Sequence, residues 1–165
     1  MNLSTISSDN YPNSRIVLLR GLEDGFIFYT NYKSQKGREI EKNPKAHINF
    51  YWPSLERQVR IKGIINKTSA EVSDKYFLSR PLKSRIGAIL SDQSSEISLQ
   101  KDLQKELLEE INRNQSKEIQ RPNYWGGYCL EPLEFEFWQG KDARLHDRLL
   151  YERVNDEWIP KRLSP

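Results

Sequence analysis

The side chains best equipped for chemistry lie in Phe135-Glu136-Phe137-Trp138-Gln139-Gly140-Lys141-Asp142-Ala143-Arg144-Leu145-His146-Asp147-Arg148. Phe135 and Phe137 alternate with polar residues and Trp138 ends the run, which predicts a half-buried strand stopping at Gly140. After a short polar turn, Arg144, His146 and Arg148 fall at i, i+2 and i+4. In an extended segment side-chain direction repeats every second residue, so all three would leave one face. Two guanidiniums flanking an imidazole beside an indole suit an anionic, aromatic ligand. The cations hold the anion, and the imidazole can carry a proton near neutral pH. The same spacing also describes a surface hairpin with solvated arginines.

The elements that must position this stretch read as strands first. Met1 to Ser8 is weakly strand-like, and Ser8-Asp9-Asn10 turns. Arg15 to Arg20 is a near-continuous apolar strand, Glu23-Asp24-Gly25 a hairpin turn, and Phe26 to Thr30 the return strand. Ser34 caps a short helix to about Lys42, ended by Asn43-Pro44. Ala46 to Trp52 and Gln58 to Lys67 are strands joined by a loop with Pro53, completing an antiparallel meander that points to a small barrel.

Helices follow. Ser69 caps one that Pro81 stops, and Ser84 to Leu90 is a second. Leu99 to Asn114 is the longest, with Leu99, Leu103, Leu107 and Ile111 on one face that is core or interface. Gln115 to Asn123 is a linker. Strands are expected at Gly127 to Leu130, Phe135 to Gln139, Leu149 to Val154 and Trp158 to Leu163, the last two joined by a turn at Asn155-Asp156.

The bulk composition narrows the classes. A chain of 165 residues is one domain, with 30% charged and 36% hydrophobic residues, so its core is lean and a subunit interface could complete its burial. A net charge of +3, without a Lys/Arg block of five or more, permits an anionic small ligand and argues against nucleic acid as partner. The single cysteine, Cys129, excludes an intrachain disulfide and fits a reducing cytoplasm. No apolar run nears the roughly 18 residues of a membrane span, so no membrane partner is expected. Two distant histidines and one cysteine give a metal site no support.

Glu136-Phe137-Trp138-Gln139-Gly140 followed by Arg144-Leu145-His146-Asp147-Arg148 resembles the signature of the pyridoxamine 5'-phosphate oxidases, flavoenzymes that make pyridoxal phosphate. The resemblance continues, in order, through Arg15-Ile16-Val17-Leu18-Leu19, Phe28-Tyr29-Thr30-Asn31, Leu55 to Val59, Tyr76-Phe77 with Ser79-Arg80-Pro81, Ile86-Gly87-Ala88, Gln93-Ser94 and Trp125-Gly126-Gly127. Any one motif is weak; their colinear order is specific.

The resemblance implies a mainly β fold with helices, the FMN-binding split β-barrel. Its active form would be a homodimer holding FMN at the subunit interface, with residues from about 122 to 165 carrying dimerisation and active-site functions. The implied reaction oxidises pyridoxamine or pyridoxine 5'-phosphate with O2 as acceptor. The flavin would lie against Arg15, Ile16, Val17, Leu18, Leu19, Arg20, Tyr29 and Thr30, with Lys36, Gln58, Gln93, Ser94, Trp138 and Arg148 completing its site. Arg20, Tyr76, Arg80 and Ser84 would meet the substrate phosphate, and Arg144, Leu145 and His146 its ring, Arg144 and His146 in the catalytic role. Read on their own, Ser84 could cap a helix, Tyr76 could be core and Arg80 a solvated helix end. His47 matches no family site and reads as structural.

Four departures stand out. Arg20 replaces a usual lysine, keeping charge but changing phosphate geometry. Gln35 stands where an arginine normally helps to hold the FMN phosphate, and Arg85 replaces a glutamine and could compensate. Family members also carry a helical segment ahead of the residues matching Met1 to Ile6 that supplies part of a substrate lid. The chain as read is therefore expected to bind FMN yet turn over with a raised KM. A flavin- or pyridoxal-phosphate-binding protein with little turnover is the alternative reading.

Overall fold

The computed structural model describes residues 1–22, 25–114 and 118–165. The expected turn at Glu23-Asp24 and the first part of the expected linker, Gln115 to Lys117, lie outside them. The strands are β1 Asn2–Ile6, β2 Pro12–Ile16, β3 Phe26–Asn31, β4 Lys45–Trp52, β5 Arg57–Lys67, β6 Trp125–Gln139, β7 Asp147–Val154 and β8 Glu157–Leu163. The helices are α1 Gln35–Lys42, α2 Ala70–Ser79, α3 Leu82–Leu90 and α4 Leu103–Arg113. One sheet carries the strands in the order β2-β1-β4-β5-β6-β7-β8, and β3 pairs with β6. The fold is mainly β, as expected.

Two compact units divide the chain. The first comprises Met1–Phe28, Glu39–Asn66 and Cys129–Pro165; the second comprises Tyr29–Arg38 and Lys67–Tyr128. The first buries Leu3, Phe28, Ile48, Ile61 and Leu130 from alternating strand positions. The second buries Phe77, Ile86, Ile119 and Trp125, with Leu107 and Ile111 of α4 packed against them.

Several boundaries differ from the sequence reading. β2 ends at Ile16 because β1, its partner, reaches only Asn2 opposite it, so Val17 to Arg20 lie outside the strand. β3 does not return against β2: a lone bridge, Gly21 to Ile27, joins those segments, and β3 pairs with β6 instead. The consecutive meander is therefore replaced by separate hairpins. α3 starts at Leu82, since the Pro81 carbonyl accepts from the backbone N–H of both Ser84 and Arg85. Ser84 thus lies inside the first turn rather than capping it. Asp102 caps α4 by accepting from Gln104 and Lys105, which leaves Leu99 outside the helix and 99% exposed.

β6 is one strand of 15 residues where two were expected. Pro132 lies within it although proline brings no N–H to a ladder. Glycines permit close approach on this strand: a Cβ on Gly63 of β5 would stand 2.2 Å from the Glu131 carbonyl oxygen.

Candidate active-site residues in the two units

In the first unit, Glu56 accepts from the Gly140 N–H at 2.7 Å and so aligns β5 with β6 at this end. Two residues in from that pair on the two strands stand Gln58 and Trp138. The register of β6 with β7 sets Arg148 directly opposite Trp138. Amide, indole and guanidinium therefore share one end of one sheet face, as a flat ring with polar edges would require.

The expected Arg144–His146–Arg148 face does not form. Residues Asp142–Arg144 make a 3-10 turn with positive φ at Ala143 and Arg144 (53° and 60°), and extended backbone resumes only at Asp147. Period-two reasoning fails across that turn. His146 still stands beside the indole, its ring 4.7 Å from that of Trp138, and its Nδ1 accepts from the Lys141 N–H at 3.1 Å. That bond leaves Nε2 as the nitrogen available to a ligand. Arg144 is exposed, and its guanidinium makes no ion pair or hydrogen bond among the described residues. His146 and Leu145 line a cleft of about 420 Å³ together with Arg162, Leu163, Ser164 and Pro165.

The polarity of this strand is the reverse of the expected one. Glu136 is 5% exposed and Phe137 43%. The buried carboxylate accepts from Arg148 Nε at 2.9 Å and pairs with Arg60 Nη1 at 3.1 Å. The aromatic face instead carries Phe26, Phe50, Trp52, Phe135, Phe137, Tyr151 and Trp158, in ring contact with one another. Sequence reasoning passed over Glu136, although it shares the period-two face of Trp138.

Arg15 is committed to the fold of this unit. Its Nη1 donates to the Leu3 carbonyl (3.3 Å) and Thr5 Oγ1 (2.6 Å), and its Nη2 to Glu39 at 2.9 Å. Ile16 and Leu18 are 75% and 65% exposed, Arg20 is exposed, and Val17 and Leu19 are half-buried. Glu39 also accepts from Thr5 at 2.5 Å and Asn13 at 2.9 Å. Burial alone would raise its carboxyl, but the hydrogen bonds from Thr5, Asn13 and Arg15, with the Arg15 charge, hold it below the usual carboxylate range. His47, on β4 opposite Ser4, is half-buried; burial, then the charges of Arg60 and Lys62, lower its pKa, and the charge of Glu134 opposes them.

Of the residues expected at phosphates, Lys36, Tyr76, Arg80 and Ser84 lie in the second unit and Arg20 in the first. Lys36, 8% exposed, sits in the first turn of α1 with its Nζ 3.4 Å from both Thr30 Oγ1 and Ser34 Oγ. Ser34 Oγ also accepts from the Gly37 N–H, the helix cap read from sequence. Thr30 donates to Gln93 Oε1 at 3.0 Å, which fixes the turn holding Gln93 and Ser94 (φ 73°) beside β3. A buried ammonium among hydroxyls at a helix start is a donor set for an anion. Gln35, the first residue of α1, is exposed.

Tyr76 and Arg80 meet on Trp125. The Tyr76 ring is parallel to the indole at 6.2 Å and stacked on Tyr29 at 3.8 Å, and the Arg80 guanidinium lies 4.6 Å over the indole. In sequence Trp125 stands only as part of a motif; its part as a platform is legible once α2 is folded against β6.

Residues 1–112 match the family model described as pyridoxamine 5'-phosphate oxidase, and residues 125–165 match the model of the pyridoxine 5'-phosphate oxidase C-terminal dimerisation region. The chain belongs to the pyridoxamine 5'-phosphate oxidase family. A pyridoxine/pyridoxamine 5'-phosphate oxidase of Legionella pneumophila (strain Paris) is 54% identical over 166 residues, covering 100% of this chain and 77% of that one. Among solved structures, PhzG from Burkholderia lata 383, in complex with tetrahydrophenazine-1-carboxylic acid, superposes with a TM-score of 0.91 at 32% identity. It covers 99% of this chain and 80% of its own. A pyridoxamine 5'-phosphate oxidase-related, FMN-binding protein from Nostoc punctiforme PCC 73102 shares the fold, with a TM-score of 0.81 at 20% identity over 99% of this chain and 87% of that one. The family's split barrel is thus the fold of this chain, and its helices include none long and apolar enough to cross a membrane among the described residues.

Proposed function

We propose that the protein is an FMN-dependent oxidase converting pyridoxamine or pyridoxine 5'-phosphate to pyridoxal 5'-phosphate with O2 as acceptor. The observation that carries this reading is the match along the whole chain, at 54% identity, to an oxidase of that name. The donor chemistry fits the cofactor: Lys36 with the hydroxyls of Thr30 and Ser34 suits a phosphate, and Gln58 beside Trp138 suits an amide-edged ring. When bound, FMN would supply the redox chemistry by which two electrons leave the substrate at C4' and reach O2 as H2O2; for the amine substrate, water then hydrolyses the resulting imine and ammonia leaves.

The chain's own residues bind and orient. Lys36, Thr30, Tyr29, Gln93 and Ser94 of the second unit, and Ile16 to Arg20, Gln58, Trp138 and Arg148 of the first, would contact the cofactor, while Arg15 serves the fold through Thr5 and Glu39. Tyr76, Arg80, Ser84 and Arg20 would bind the non-reacting phosphate, which lowers KM without itself raising kcat. Arg144 would orient the substrate ring with Leu145 beside it, and Nε2–H of His146, the donor nitrogen while Nδ1 accepts from Lys141, would donate to the reacting carbon's substituent.

The exposed aromatic face of β4, β6, β7 and β8 would be covered by a second copy of the chain, in keeping with the dimerisation-region match. Sedimentation should give a dimer at low micromolar concentration, and a monomer would remove that part of the reading. Incubated aerobically with FMN and pyridoxamine 5'-phosphate, the protein should form pyridoxal 5'-phosphate and H2O2 in equal amounts. Unphosphorylated pyridoxamine should be a poor substrate. FMN binding without product would favour the reading as a flavin-binding protein with little turnover.

A further inference from the structure

We propose that Glu136 is a positioning residue that orients the Arg148 guanidinium toward the cofactor, an inference that rests on the flavin reading above. Glu136 stands near the end of β6, 5% exposed, with Oε1 2.9 Å from Arg148 Nε and Oε2 3.1 Å from Arg60 Nη1. A second anchor holds Arg148: its Nη1 donates to the Ser164 carbonyl at 3.0 Å. A guanidinium is a planar fork of five N–H donors. With Nε and Nη1 both fixed, the plane cannot turn, and the Nη2 donors keep one direction. Among the described residues no protein group takes those donors. They belong to the guanidinium that the β6–β7 register sets opposite Trp138.

Stability alone does not account for the carboxylate. A charge costs free energy to bury, and a buried ion pair is commonly no more stabilising than apolar residues of the same volume. What the acid contributes that an apolar residue cannot is direction. Arg60 on the opposite side holds Glu136 itself, and the three charges sum to +1, so the cluster stays attractive to an anion. The hydrogen bond from Arg148 to Glu136 also raises the pKa of the guanidinium further.

Equilibrium dialysis of the 165-residue chain against FMN, in a double-mutant cycle, tests the role. Glu136→Gln keeps the shape and removes the charge. If Glu136 acts through Arg148, the variant should raise the FMN Kd roughly tenfold, the scale of one charge-assisted hydrogen bond. The same substitution should then have little effect in an Arg148→Ala background. A pure charge effect has the opposite sign, because removing a negative charge would tighten an anionic cofactor. An unchanged or lowered Kd, or an equal loss in both backgrounds, would overturn the inference. Arg148→Ala alone with unaltered FMN binding would instead remove Arg148 from the cofactor site and overturn the flavin reading at this position. Should Glu136→Gln not fold, Glu136→Asp keeps the charge but shortens the reach, and it should give a smaller loss of the same kind.

Discussion

Arg15 separates a strut from a ligand. The resemblance assigns it to the flavin, yet all its observed hydrogen bonds run to Leu3, Thr5 and Glu39. Arg15→Ala would leave the carboxylate of Glu39, 4% exposed, without its cation. Removing one partner of a buried pair costs about 3–5 kcal/mol. Thr5 and Asn13 would still donate to Glu39, so roughly 2–3 kcal/mol is expected here. In a chain of this size that is about 5–10 °C in Tm. Urea unfolding of the cofactor-free protein should show the loss, and Arg15→Ala with Glu39→Gln should recover part of it, since no buried charge is then left unpaired. Because the folded carboxyl titrates below its ordinary value, its contribution is complete above the unfolded carboxylate pKa and disappears as pH falls through the folded one. The gap between parent and Arg15→Ala should therefore narrow in acid. Stability within about 0.5 kcal/mol of the parent, with FMN affinity lost, would refute this account of Arg15.

Other outcomes follow from the same geometry. Gln35→Arg adds a cation to the first turn of α1 beside Lys36, and FMN titration should show a gain of about 1 kcal/mol; no gain would take this turn away from the phosphate. Trp125→Phe keeps an aromatic ring but weakens the seat of Arg80 and Tyr76. Steady-state kinetics should show KM for the phosphorylated substrate rising several-fold, about 1 kcal/mol of cation–π attraction, with kcat little changed. His146→Asn and Arg144→Ala should each lower turnover while leaving the bound-flavin spectrum intact, and loss of the flavin instead would mean that these side chains serve the cofactor.

Much of the architecture was legible because local signals agreed with the final packing. Ser34 and Ser69 cap the helices they announce, and β4 and β5 lie within a residue of their expected starts. What escaped depended on partners distant in sequence. The end of β2 is set by the length of β1, and β3 is claimed by β6. The site divides in the same way. Lys36 and Gln93 both meet Thr30, and Trp138 and His146 touch. The Arg144–His146–Arg148 face failed because two residues with positive φ interrupt the strand. The inversion of Glu136 and Phe137 was invisible to periodicity, which reports alternation but not which face is covered.

The account stands most directly on one spectrum. Pyridoxamine 5'-phosphate added without oxygen to the FMN-loaded protein should bleach the visible flavin absorbance, and admitting O2 should restore it with release of pyridoxal 5'-phosphate and H2O2. A flavin that stays coloured while the substrate binds would contradict the assignment of this chain as an oxidase of that substrate.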